Sequence, residues 1–263
     1  MLLDRTTGGA WSPDEQKLHI NCKEMLAIYH GLRSFCKSIG GCHLRVLSDN
    51  KTAVSVLNKM GTVRSPQCNA LAKIIWEFCK EGNIWITCAH IPGIENVESD
   101  LESRKEYKQA EWQLNPIIFV KATKRLKFFP DLDCFATRLN TKLKNYASFR
   151  PDPYAKYSDC FSINWAGHNC YLFPPFSLNG LVLQKIRVDR IKALCLFPHW
   201  PTQTWWPVMK SMLVELMWVI KPAKDNLLLP QQIKRLHSLY KKLSLIICLL
   251  SDLMKERDSK KMP

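Results

Sequence analysis

Apolar residues recur at Met25, Ile28, Leu32 and Phe35, the spacing of one buried helix face, and Asn21 with Glu24 three residues on has the spacing of a capping box. His43 to Ser48 alternates through Leu44 and Val46, which predicts a short strand that delivers Asp49 at its end. Thr52 to Lys59 reads as a helix that stops at Gly61. Ser65-Pro66 has the form of an N-cap followed by proline at the first helical position, opening a helix through Leu71, Ile74, Ile75 and Phe78. Ile84 to Ile91 alternates again, with Ile84, Ile86 and Cys88 on one face, and Pro92-Gly93 ends it. Helical and strand periods that alternate in this way define an α/β domain.

A second α/β unit is expected from Pro130 onward. Strand-like pieces span Pro130 to Ala136, Asn169 to Phe173 and Ile191 to Phe197, and Trp205 to Met217 has helical spacing through Trp206, Met209, Leu213 and Leu216. Between Arg104 and Lys127 seven Lys/Arg face only Glu106 and Glu111, and the residues after Gln231 are similarly basic. The organisation expected is therefore a first domain over 1–105, a basic linker over 106–129, a second domain over 130–230 and a basic tail over 231–263. Such basic stretches read first as solvated chain and second as contacts for nucleic acid.

The formal charge of +15 favours polyanionic partners, since cations that neutralise phosphates release condensed counterions. Eleven cysteines are scattered without a CxxC pair, the pattern of reduced thiols in the cytosol or nucleus rather than of a secreted disulfide framework. No apolar core near the first residues suits a signal peptide, and the run Leu243 to Leu250 is far short of a membrane span, so no membrane role is expected.

Three carboxylates fall where an α/β nuclease needs them: Glu24 in the first turn of a helix, Asp49 at a strand's carboxyl end and Asp100 beyond another strand. Mg²⁺ takes oxygen ligands, and a two-metal hydrolase needs several carboxylates converging on one sheet edge. Taken singly, Glu24 also reads as a capping acceptor, Asp49-Asn50 as a turn or N-cap, and Asp100 as a solvated helix residue.

The strings LHINCKEMLAIYHGLRSF, LSDNKTAVSVLNKMG, RSPQCNALAKIIWEF and HIPGIENVESDLESR resemble, in order and spacing, the ribonuclease H domain of DIRS-type retroelement polyproteins, over roughly Gly8 to Arg104. The resemblance implies a mixed sheet with helices on both faces, and cleavage of the RNA strand of RNA–DNA hybrids. Glu24, Asp49 and Asp100 match its catalytic and metal-ligating carboxylates. Asn50, His90 and Asn96 fall at substrate-side positions, the last two within an H-x-x-G-x-x-N pattern that includes Gly93. The family pattern opens with a central strand bearing a first aspartate, and then a hairpin partner. Neither has a counterpart here, and Asp4 sits in no strand pattern. The expectation is a ribonuclease H-like domain lacking its first strands, with an open edge beside residues 44–48 and little or no nuclease activity. Active hydrolysis when joined to upstream sequence, and a domesticated non-catalytic nucleic-acid-binding role, are the alternatives.

DLDCFATRLNTKLKNYASFRPDP and SDCFSINWAGHNCYLFPPFSLNG resemble the adenine-methyltransferase-like segment that follows ribonuclease H in the same elements. That resemblance implies a Rossmann-like domain, with Asp133 at the strand end that approaches S-adenosylmethionine and Phe173-Pro174-Pro175-Phe176 as a degenerate adenine-gripping motif. Phe173 stands where a polar residue should accept a hydrogen bond from the adenine amino group, and phenylalanine has no acceptor. The motif thus reads as a Pro-Pro turn after a buried strand, with no S-adenosylmethionine expected. Trp165, Trp200, Trp205 and Trp206 suit either base stacking or an aromatic core.

Overall fold

In a computed structural model, which describes residues 5–103, 112–232 and 234–252, the chain divides into two units of mixed helix and strand. One comprises Met1–Glu106 with Arg150–Tyr154, the other Tyr107–Phe149 with Ala155–Pro263.

The first unit runs α1 (Pro13–Gln16), α2 (Ile20–Phe35), β1 (Cys42–Ser48), α3 (Lys51–Asn58), α4 (Pro66–Glu81), β2 (Ile84–His90) and α5 (Val97–Ser103). β1 and β2 pair in parallel from Cys42 opposite Ile84 to Ser48 opposite His90. Parallel neighbours need a crossover, which α3 and α4 supply. Ile84, Ile86 and Cys88 pack against Met25 and Leu32 of α2, Val56 and Leu57 of α3 and Ala72 and Ile75 of α4. Leu47 and Trp85 on the opposite face are 51% and 54% exposed. Among the described residues β1 has β2 as its only strand partner.

Local chemistry sets the helix starts. Ser65 Oγ accepts the Cys68 N–H at 3.2 Å with Pro66 in the first turn of α4, and Asn50 Oδ1 accepts the Ala53 N–H at 2.9 Å at the head of α3. The expected Asn21/Glu24 capping box does not form. Asn21 already lies inside α2, whose N-cap is His19, and its side-chain oxygen accepts instead from Asn50 Nδ2 at 3.0 Å. The capping box of this unit belongs to Ser12 and Glu15 at α1. Residues 150–154 are held by Arg33, whose Nε donates to the Pro153 carbonyl at 3.1 Å, by Lys37 Nζ on the Asp152 carbonyl at 3.0 Å, and by Arg150 paired with the buried Glu102 at 2.8 Å.

The second unit contains β3 (Gln113–Leu114), α6 (Pro116–Arg125), β4 (Leu132–Asp133), β5 (Asn145–Ser148), β6 (Tyr157–Ser158), β7 (Cys170–Leu172), α7 (Asn179–Val188), β8 (Lys192–Pro198), α8 (Trp206–Ser211), β9 (Trp218–Ile220), β10 (Leu227–Leu228) and β11 (Leu245–Ser251). Its main sheet has the order β6-β5-β4-β7-β8-β11-β9. The strands from β6 to β8 are parallel, and β11 runs antiparallel to both β8 and β9. Val182, Leu183 and Ile186 of α7 cover one face, and Phe119 and Ala122 of α6 the other.

Three expectations are corrected here. From Trp112 onward the supposed linker 106–129 is folded: α6 buries Phe119 and Ala122, and Leu126 and Phe128 follow them into the core, leaving the lysines on its outer side. The supposed tail contains β11, every residue of which is buried. Flanking basic residues mask an apolar run that a strand covered on both faces produces. The helix expected to reach Met217 stops at Ser211, because the following backbone is claimed by β11: Val214 N–H donates to the Leu249 carbonyl and Ser251 N–H to the Met212 carbonyl, at 3.0 and 2.9 Å. Asp4, residues 104–111 and residues 253–263, which hold parts of the basic stretches, lie outside the described residues.

Candidate functional site

In the first unit the carboxyl ends of the parallel strands gather part of the expected acidic site. Asp49 follows β1 directly, and the Ile91 N–H reaches back to the Ser48 carbonyl at 3.1 Å, which keeps the Pro92-Gly93 turn against that strand end. A Cβ on Gly93 would sit 3.6 Å from Asp49 Oδ2, so the H-x-x-G turn flanks this carboxylate. Glu24, half-buried on α2, has its carboxyl raised above the ordinary range, first by burial and then by the negative charge of Asp49. Two like charges held near each other at a sheet edge favour a cation or a proton between them.

Asp100 does not complete the set. It lies on the exposed side of α5, its N–H bonded to the Asn96 carbonyl at 3.1 Å, and among the described residues no three His, Cys, Asp or Glu groups gather around a cation position. The expected convergence of Glu24, Asp49 and Asp100 is thus replaced by a pair. Asn50 is committed to the fold, capping α3 and donating to Asn21. His90 ends β2 with an exposed side chain, and Asn96 ends the 3₁₀ turn Gly93–Glu95.

In the second unit β4 ends at Asp133, between β5 and β7 at the point where the strand order reverses. Open α/β sheets leave a crevice at such a point. Asp133 is 2% exposed, and burial pushes its carboxyl up to about 6 against the opposing pull of the Lys142 and Phe135 N–H groups, the Lys142 ammonium and the Thr141 hydroxyl. Lys142 N–H donates to Asp133 Oδ2 at 2.9 Å, and Lys142 Nζ bonds Gln113 Oε1. Burial lowers this lysine to about 8, with Asp133 opposing the fall. Pro174 is buried, while Phe173 and Phe176 are half-buried, Phe176 meeting Trp200 edge-on at 5.2 Å. Trp165 is wholly buried and its indole N–H donates to the Cys160 carbonyl, which makes it a core residue.

The residue pattern alone did not single out Lys142, Gln113, Tyr171 or Asn179. The Tyr171 hydroxyl and both polar atoms of the Asn179 amide are buried without a hydrogen-bond partner. Asn179 shares the helix stripe of Val182, Leu183 and Ile186, and a polar residue on that apolar stripe was the available signal. All eleven cysteines are free thiols, ten of them buried, and no helix among the described residues is long and apolar enough to cross a membrane. No protein-family model and no curated protein matches the chain.

Proposed function

We propose that the chain is a retroelement-type polyprotein segment whose first unit is a ribonuclease H-like nucleic-acid-binding module with little or no hydrolytic activity of its own. The observation that carries the reading is the Glu24–Asp49 pair: a helix carboxylate and a strand-end carboxylate close enough for one to raise the other's proton affinity, beside the Gly93 turn. Mg²⁺ is commonly held by one or two carboxylates together with substrate phosphates, and Glu24 and Asp49 suit that role. Bound there, the cation would polarise a phosphodiester. Rigid two-metal cleavage needs more ligands than the pair supplies, and among the described residues no third acidic, histidine or cysteine side chain joins them around a cation position. Binding therefore falls to the positive charge of the chain, with RNA–DNA hybrid or DNA as the partner.

The second unit is read as Rossmann-like and methyltransferase-related. Support comes from the order β6-β5-β4-β7-β8, from the antiparallel β11 placed beyond β8, and from the positions of Asp133 after β4 and Phe173-Pro174-Pro175-Phe176 after β7. Its residues do not fit methyl transfer to adenine. Phe173 has no acceptor, and the Asp133 carboxyl is turned into hydrogen bonds of its own loop. No step through S-adenosylmethionine is derived.

A hybrid-binding and cleavage assay tests the reading. The purified chain should bind RNA–DNA hybrid at low salt, weaken as salt rises, and release no product with Mg²⁺. Cleavage by the parent that Asp49→Asn abolishes would make it an active hydrolase, and absence of binding at low salt would dispose of the nucleic-acid reading.

A further inference from the structure

The first unit has a second surface, at the other end of its sheet. Trp85 pairs with His43 across the strands, six residues before Asp49 along β1, which places it about 20 Å from the carboxylate edge. Its ring centroid lies 5.2 Å from that of Trp76 on α4 at an interplanar angle of 57°. Trp76 is fixed by its indole N–H, which donates to the Leu57 carbonyl at 3.1 Å. Trp85 packs against this hydrogen-bonded ring and still leaves 54% of its surface to solvent. Beside the two indoles is an open depression of ≈ 360 Å³ lined by Met60, Asn69, Lys73, Trp76, Glu77 and Lys80. Glu77 is the one carboxylate of that lining and lies 3.9 Å from Lys73 in an exposed i,i+4 pair, a geometry of small energetic weight. The rim is net positive.

We propose that the Trp76–Trp85 surface binds single-stranded nucleic acid, an unpaired base stacking on the exposed Trp85 indole while Lys73 and Lys80 meet the flanking phosphates. Rigid aromatic platforms beside cations are what sequence-tolerant single-strand binding requires. Base pairs in a duplex already stack on one another and offer no free face to an indole. A second copy of the chain would bring Lys73 and Lys80 against their own kind, at a net charge of +15 per copy. An acidic peptide would satisfy the lysines and leave the indole bare. The proposal does not rest on the carboxylate pair, which serves a different end of the sheet.

The experiment is fluorescence anisotropy with a labelled oligothymidylate, and with a duplex of equal length, on the parent chain and on Trp85→Ala, Trp85→Phe and Lys73→Gln/Lys80→Gln, each first checked for parental melting. Trp85→Ala should bind the single strand about 5- to 100-fold more weakly and the duplex unchanged, with Trp85→Phe in between. The lysine double variant should flatten the dependence of log affinity on log salt by about 0.7 for each phosphate no longer neutralised. Unchanged single-strand affinity in Trp85→Ala, or displacement of oligothymidylate by polyglutamate as readily as by unlabelled oligothymidylate, would overturn the proposal. The duplex arm tells the two readings apart: loss of duplex and hybrid binding with single-strand binding retained would overturn the hybrid reading alone, and unchanged single-strand affinity in Trp85→Ala would overturn this one alone.

Discussion

The side-chain amide of Asn58 holds the Cys88 backbone by two hydrogen bonds: its Nδ2 donates to the Cys88 carbonyl at 2.8 Å, and the Cys88 N–H donates to its Oδ1 at 2.9 Å. The last residue of α3 thereby takes the place of a neighbouring strand where β2 turns both backbone groups away from β1. Asn58→Ala leaves that donor and acceptor unpaired, and a loss of about 1–3 kcal/mol is expected in urea unfolding. Asn58→Asp, which keeps only the acceptor, should fall between variant and parent. A loss under about 0.5 kcal/mol for Asn58→Ala would mean that water replaces the amide without cost.

Asp49 sets part of the proton affinity of Glu24, and Asp49→Asn should lower the Glu24 midpoint while leaving the part that burial causes. Carboxyl-carbon NMR titration reads the change directly. An unmoved midpoint would show that the two carboxylates do not share an electrostatic field.

Asp133 makes stability depend on acid. Its folded midpoint of about 6 lies above the ordinary 3.8, so the folded state holds the proton more tightly than the unfolded one. Its contribution is fully present below the unfolded value and is lost as pH rises through the folded one, a fall of about 3 kcal/mol for so buried a group. Asp133→Asn does not titrate. Its stability relative to the parent should therefore improve by about that amount between pH of about 3.5 and 7, and a constant difference across that range would refute the assignment.

Arg33 clasps residues 150–154, with its guanidinium 4.6 Å from the Tyr154 ring centre and its Nε on the Pro153 carbonyl. Arg33→Ala should cost about 1–3 kcal/mol and open the 150–154 segment to limited proteolysis. Arg33→Lys should recover only part of this, because an ammonium lacks the planar face that stacks on tyrosine. Unaltered proteolysis in Arg33→Ala would assign the clasp to Lys37 and Arg150.

Local chemistry was legible along the chain at several helix starts and strand faces, though not at the Ser12–Glu15 capping box, whose place the residue spacing gave to Asn21 and Glu24. Ser65 before Pro66 starts α4, Asn50 three residues before Ala53 starts α3, and the alternation of Ile84, Ile86 and Cys88 marks the face of β2 that packs on the helices. Those elements follow from side chains acting on their own backbone or from a period that one buried face imposes. Long-range pairing was not legible. The run Leu245 to Ser251 has no period because both of its faces are covered, and only the sheet decides that it enters between β8 and β9. Composition marked the segment around α6 as linker, whereas burial of Phe119 and Ala122 makes it a core helix. The site divides in the same way. Glu24 and Asp49 could be chosen by residue type and position, but their coupling and the attachment of Lys142 to Asp133 depend on how chain segments far apart in order come together, which no local spacing encodes.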